Sequence, residues 1–191
     1  MKMGWKIGLL GVLLTQRIGE LVIAQRHTRW AIRQGGYEVG QQHYPLLVGV
    51  HLLFFVGLMV ETWGLGSSPP SWWLLPLLLF LAAQCLRIWC MHALGHYWNT
   101  RIMIIPNHTP IVQGPYRYIR HPNYLVVVAE LLTVPLILGA YVTAAVVSAL
   151  NLWILLSIRI PAEEQALENE TDYKNQMSAR PRLFPWKEKP E

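Results

Sequence analysis

Arg159 and Glu163 stand four residues apart in "SIRIPAEEQALE", with Pro161 between them and Glu164 alongside. If helix runs through that proline, guanidinium and carboxylate lie one turn apart on one face. Such a pair either neutralises itself at a surface or offers an anion fork beside an acceptor for hydroxyl and amino groups. A second stretch, "GPYRYIRHPNYLVVVAE" at 114–130, carries the rest of the chemistry. Gly114-Pro115 makes a turn. His121-Pro122 opens a helix, because proline at the first helical position loses no hydrogen bond. The N–H groups of that first turn carry partial positive charge and suit an anion. Arg117 and Arg120 add cations, although basic residues also flank membrane spans routinely. The stretch alone therefore leaves open both a ligand site and a plain helix start.

What must position these residues follows from composition. The chain has 191 residues, of which 53% are hydrophobic and 14% charged, with nine tryptophans. A soluble domain carries about 25% charged residues, so this one lacks the polar surface to cover itself. An all-α integral membrane protein is expected, one domain over 1–191, with tryptophans in an interfacial belt. The net charge of +5 then belongs to loops facing anionic lipid rather than to nucleic-acid binding. Cys85 and Cys90 fall on different faces of an apolar segment, which suits neither a disulfide nor a metal site. The first apolar stretch has Arg17 and Glu20 where a cleavage site would need small residues, so it reads as a retained helix.

About twenty apolar residues cross a bilayer, and five segments come close: 4–24, 44–64, 71–91, 122–139 and 141–160. The last two meet near Gly139 and form a helical hairpin. Arg26, Arg29 and Arg33 follow the first segment, Arg101, Arg117 and Arg120 the third, and more cations follow the fifth. The connection 65–70 and the hairpin tip carry none. This asymmetry puts both long loops and the C-terminus in the cytoplasm, with Lys2 and Lys6 as weak opposition. The tail 161–191 is expected in the cytoplasm, and its stretch 167–186 reads as a short amphipathic cap with Phe184 and Trp186 resting on the membrane surface. Within the spans Arg17, Glu20, Arg87 and Glu130 are costly unless paired or facing an aqueous cavity. All four fall in the cytoplasmic half, as interhelical ion pairs or as one polar pocket. The hairpin brings the end of the fifth helix back beside the start of the fourth. Arg159 and Glu163 then adjoin the His121-Pro122 turn.

"HTPIVQGPYRYIRHPNY" at 108–124, followed by "RIPAEE" from 159, resembles the isoprenylcysteine carboxyl methyltransferase family, membrane enzymes that use S-adenosylmethionine. The likeness covers roughly 95–185, and the N-terminal half looks like the bacterial branch, some members of which are associated with O-methylation of alkylpyrones. The resemblance implies a cytoplasmic cofactor pocket built from His108, Thr109, Pro110, Ile111, Tyr116, His121, Pro122, Asn123, Tyr124 and Glu163. It implies Arg159 on the substrate side, with Arg159 and Glu163 as the catalytic pair. A family glutamine has no clear counterpart, Arg101 or Met103 standing near its position, and Pro110 replaces a leucine.

The implied reaction is methyl transfer to a carboxylate or enol oxygen of a lipophilic acceptor that enters from the bilayer, without metal or nucleic acid. Near-attack positioning supplies much of such a rate. Arg159, with Glu130 deeper in the membrane, would hold the acceptor. For a neutral hydroxyl acceptor, His43, His51 or Glu130 could take the proton; otherwise the two histidines are packing residues. Two other readings compete: N-methylation of a phospholipid head group, which puts an amine where Arg159 stands, and a non-catalytic membrane subunit.

Overall fold

A computed structural model describes residues 4–184. Lys2 and Trp186, weighed above, lie outside the described residues. The chain is a helical bundle, and the leucine-, valine- and isoleucine-rich segments form it as expected. Helix α1 spans Gly4–Arg33, α2 Tyr44–Met59, α3 Leu74–Leu94, α4 Pro122–Leu138 and α5 Tyr141–Ile154. Helix α6, Ile160–Glu170, continues α5 through one wide turn, and α7 is the short Tyr173–Met177. Four helical stretches are long and apolar enough to cross a membrane: Gly4–Arg33, Gln41–Gly64, Leu74–Tyr97 and Tyr141–Glu170. The fifth expected span, α4, is shorter at 17 residues. It occupies the middle of the bundle, against α3 and α5. Val126, Leu131, Val134, Ile137 and Leu138 on it are buried.

Several boundaries differ from expectation. The first helix reaches Arg33 rather than residue 24, so Arg26 and Arg29 ride on helix instead of loop. Thirty residues make a rod of about 45 Å, against a hydrocarbon core of about 30 Å. The third begins at Leu74, after a turn at 71–73. Helix persists beyond Pro161 to Glu170. A two-stranded antiparallel ribbon, Tyr37–Val39 (β1) with Ile102–Ile104 (β2), closes one end of the bundle.

The two ends of the hairpin are fixed differently. At the tip, Gly139 adopts φ +77°, and a Cβ there would strike the Ser68 carbonyl. Next to it, Glu61 in the wide turn after α2 caps α5. Its carboxylate receives the Val142 and Thr143 N–H groups at 3.2 and 2.6 Å and the Thr143 hydroxyl at 2.5 Å. Those are N–H groups that a helix start leaves unpaired. Lys6 donates to the Ser67 carbonyl at 2.7 Å, so the start of α1 belongs to this same end. At the other end the α5–α6 junction widens over Leu155–Arg159, the Ile160 N–H reaching back to Leu155. Pro161 has no N–H and crowds the carbonyl four residues back. The wide turn accommodates it and lets the helix go on.

Candidate active site

Pro122 begins α4, and the hairpin returns Arg159 to its side. The guanidinium is 2% exposed. Its Nε donates to the Tyr124 hydroxyl at 3.1 Å and its Nη2 to the Thr100 carbonyl at 2.9 Å. The Tyr124 hydroxyl in turn donates to Glu163 Oε2 at 2.5 Å. Arginine and glutamate are thus not paired directly, as their spacing alone suggested; a tyrosine stands between them. His121 Nδ1 lies 4.0 Å from the same carboxylate oxygen, and the His121 and Tyr124 rings stack with centroids 5.4 Å apart.

Behind this chain lies a clamp that the sequence reading did not contain. Glu164, 5% exposed, receives Arg120 at 3.0 Å and His121 Nε2 at 3.1 Å on one oxygen. Arg182 donates to its other oxygen at 3.0 and 2.7 Å. Burial alone would raise this carboxyl. Hydrogen bonds from His121 and Arg182, with the fields of His121 and Arg120, hold it at about 2 instead. The Arg120 and His121 N–H groups donate to the Pro181 and Arg182 carbonyls at 2.9 Å, so the C-terminal segment splints the His-Pro turn. Arg120, expected as a surface charge, is part of that splint.

The helix start is less open to an anion than expected. The Tyr124 and Leu125 N–H groups both return to the His121 carbonyl, at 3.1 and 3.2 Å. Among the described residues that leaves the Asn123 N–H as the donor of the turn without a backbone partner. The Asn123 side chain accepts from Trp98 Nε1 at 3.3 Å.

These groups open into one cavity of about 490 Å³, within the range of small-molecule sites. His108, Pro110, Ile111, Tyr116, His121, Asn123, Tyr124 and Glu163 all line it. Tyr116 is buried; that burial, with the Cys90 thiol and the Glu163 carboxylate nearby, raises its ionisation well above the ordinary phenol range. It remains a neutral hydroxyl. Burial lowers the ionisation of His108, whose ring lies 4.1 Å from that of Tyr97. Four expected site residues are not on the wall: Thr109, Pro122, Arg159 and, deeper in the bundle, Glu130. Thr109 is exposed, Pro122 is buried under the turn it starts, and Arg159 sits behind Tyr124. Both candidates near the missing glutamine line the cavity, Met103 from β2. Arg101 pairs with Glu38 at 2.8 Å and covers the Tyr44 ring at 4.5 Å.

Arg17, Glu20, Arg87 and Glu130 form one network drawn from α1, α3 and α4. Arg17 and Arg87 bind Glu20 at 2.7 and 2.6 Å, and both also bind Glu130. Gln84 donates to Glu130 at 2.6 Å, and Gln16 to Glu20 and Gln84 at 2.9 and 2.8 Å. Mutual pairing removes the large cost of unpaired charge in lipid. Glu130, expected to touch substrate, is 2% exposed and not on the cavity wall; Arg17, Glu20 and Arg87 are.

Residues 75–169 match the model of the isoprenylcysteine carboxyl methyltransferase (ICMT) family. The chain belongs to the isoprenylcysteine carboxyl methyltransferase family. It is a multi-pass membrane protein of methyltransferase lineage, and the family segment contains the Arg159–Tyr124–Glu163 chain and the His121 turn. The chain is 40% identical to the uncharacterized protein YpbQ of Bacillus subtilis over 160 residues, 84% of this chain and 95% of that one. It is 28% identical to an uncharacterized protein of Haemophilus influenzae over 158 residues, 82% of this chain and 91% of that one. Family members are methyltransferases that use S-adenosylmethionine. The splint residues after 169, Arg182 among them, lie beyond the matched family segment.

Proposed function

We propose that the protein is an S-adenosylmethionine-dependent O-methyltransferase acting on a lipophilic carboxylate or enol at the cytoplasmic face of a bacterial cytoplasmic membrane. One observation carries the reading: a single cavity has the Tyr124–Glu163 pair at its polar end and continues between α1 and α2 as an apolar arm. Leu14, Ile18 and Leu21 on α1 and Val48, Leu52 and Phe55 on α2 form that arm. Several of them are also exposed on the outer surface, as Leu52 is at 62%. A greasy tail can therefore pass between lipid and cavity without crossing water.

The residues present fit the cofactor. Among the described residues Glu163 Oε1 receives no hydrogen bond, so it can accept from the ribose or adenine. The Asn123 N–H can receive the carboxylate, and Tyr116 and His108 can pack along the nucleoside. Pro110 and Ile111 supply apolar wall there. When bound, S-adenosylmethionine supplies an electrophilic methyl carbon: the acceptor oxygen forms the new C–O bond as the C–S bond breaks and sulfur leaves as a neutral thioether. Arg159 fixes the Tyr124 hydroxyl, aiming its proton at Glu163. Its positive charge behind Tyr124 favours an anionic oxygen at the polar end and weighs against an amine. The Glu164 clamp holds the imidazole of His121 in place. Arg29 and Arg33 at the end of α1, with Arg101, Arg117 and Arg120 between α3 and α4, support the cytoplasmic assignment.

Titration of detergent-purified protein with S-adenosylmethionine, followed by transfer of labelled methyl into a lipid extract, tests the reading. Saturable binding and label in an alkali-labile or enol-ether product are expected. Well-folded protein without binding defeats it, and label on a phospholipid amine replaces it with head-group N-methylation.

A further inference from the structure

The cavity has a second polar station that this chemistry does not use. Its wall includes apolar Leu47, Val127 and Leu155, polar His51, Arg17 and Arg87, and apolar Leu52 and Phe55. By helical rise Leu47 and Val127 lie nearer the Tyr124 level than His51, and Leu52 and Phe55 lie beyond it. Two helices agree on the depth of that station. Glu130, which both arginines bind, lies six residues beyond Tyr124 on α4, about 9 Å by helical rise. His51 lies seven residues beyond Tyr44 on α2, about 10 Å. The Tyr44 ring carries Arg101, next to the Thr100 carbonyl that holds Arg159.

At this station His51 is only half used. Its Nδ1 lies 2.8 Å from the Leu47 carbonyl. A carbonyl only accepts, so Nδ1 holds the ring proton and Nε2 of the neutral imidazole presents a lone pair. Among the described residues no group donates to Nε2, and it is not among the fully enclosed polar atoms. The nearby arginines direct their Nη groups to Glu20 and Glu130, while the buried Nε of Arg87 has no partner among the described residues. An acceptor left open inside an apolar channel favours a ligand that brings a donor.

Resting on the methyltransferase reading above, we infer that the methyl acceptor carries a hydroxyl or N–H about 9 Å from the methylated oxygen, and that this donor bonds to His51 Nε2. The cavity wall alternates polar, apolar, polar, apolar, and the acceptor has the complementary order. The substrate class is a lipophilic acid or enol with a second polar group in its tail, not an uninterrupted hydrocarbon.

Transfer of labelled methyl from S-adenosylmethionine into a bacterial total-lipid extract is measured with two competitors, stearate and a stearate hydroxylated at mid-chain. The hydroxylated acid should inhibit about three- to tenfold more tightly, the effect of one neutral hydrogen bond. His51→Leu should erase that difference and raise KM for the extract more than it lowers kcat, with cofactor affinity intact. His51→Gln, whose amide oxygen can accept, should restore part of the discrimination. Equal inhibition by the two acids, absence of inhibition by either, or equal loss of kcat in both variants overturns the inference. Each of those results leaves the methyltransferase reading standing as long as label is transferred. Cofactor binding without any labelled lipid would overturn the acceptor reading and this inference together.

Discussion

Tyr124 accepts a hydrogen bond from Arg159 and passes its own proton toward Glu163, so one phenol orders a cation and a carboxylate that sequence spacing would have paired. The two ends of that chain then separate experimentally. Glu163→Gln should weaken S-adenosylmethionine binding by roughly 1.5–3 kcal/mol, the value of a hydrogen bond to a charged group. Calorimetric titration reads this, and unchanged affinity would move the contact elsewhere. Arg159→Ala should cost turnover about a hundredfold or more while cofactor affinity stays within a few fold, in line with the proposed acceptor-side role of the guanidinium. Parallel loss of both would mean that Tyr124 orientation serves the cofactor as well. Arg17, Glu20, Arg87 and Glu130 were legible as an expense needing partners. The Arg17–Glu20 pair was legible from its three-residue spacing; that Arg87 on α3 and Glu130 on α4 complete it was not, because those matches span helices far apart in sequence.

Helix α5 illustrates what local rules miss. Proline ordinarily ends a helix, yet Pro161 is passed because the preceding turn widens and frees the crowded carbonyl. That adjustment keeps Arg159 and Glu163 on one rigid rod. The far end of the rod depends on the hairpin tip, where Gly139 uses left-handed backbone against the Ser68 carbonyl. Gly139→Ala should destabilise by at least about 1–2 kcal/mol from backbone conformation alone. A lower thermal midpoint in detergent checks it, and an unchanged midpoint would mean that the 65–70 connection yields easily. Glu61, overlooked because it sits in an otherwise apolar run, caps the same helix. The three-residue strands β1 and β2 were invisible for a different reason: segments that short have no period to read.

Across the whole molecule, lipid contact and the site are organised by one axis. Trp72, Trp73 and Tyr141 are exposed near one end, Trp89 and Tyr118 near the other, as an interfacial belt requires. The C-terminal segment closes the Arg159 end of the bundle through Glu164. Its carboxyl ionises at about 2 against an ordinary 4.5, so this group's stabilisation is complete above the ordinary value and fades as pH falls toward 2. Thermal midpoints should be nearly flat above pH 5 and drop below it, and Glu164→Gln should flatten that drop. A variant with the same acid slope would remove Glu164 from the account.

Hydropathy and charge asymmetry, read residue by residue, were enough to establish a multi-span helical membrane protein, and the two motifs were enough for its family. Those signals are local: span length, proline and glycine positions, and i,i+4 spacing act within one helix. The tyrosine between arginine and glutamate, the clamp from the tail and the polar station at His51 were decided by packing. Each depends on which residues from distant helices reach the same depth in the membrane, and only the folded bundle sets that.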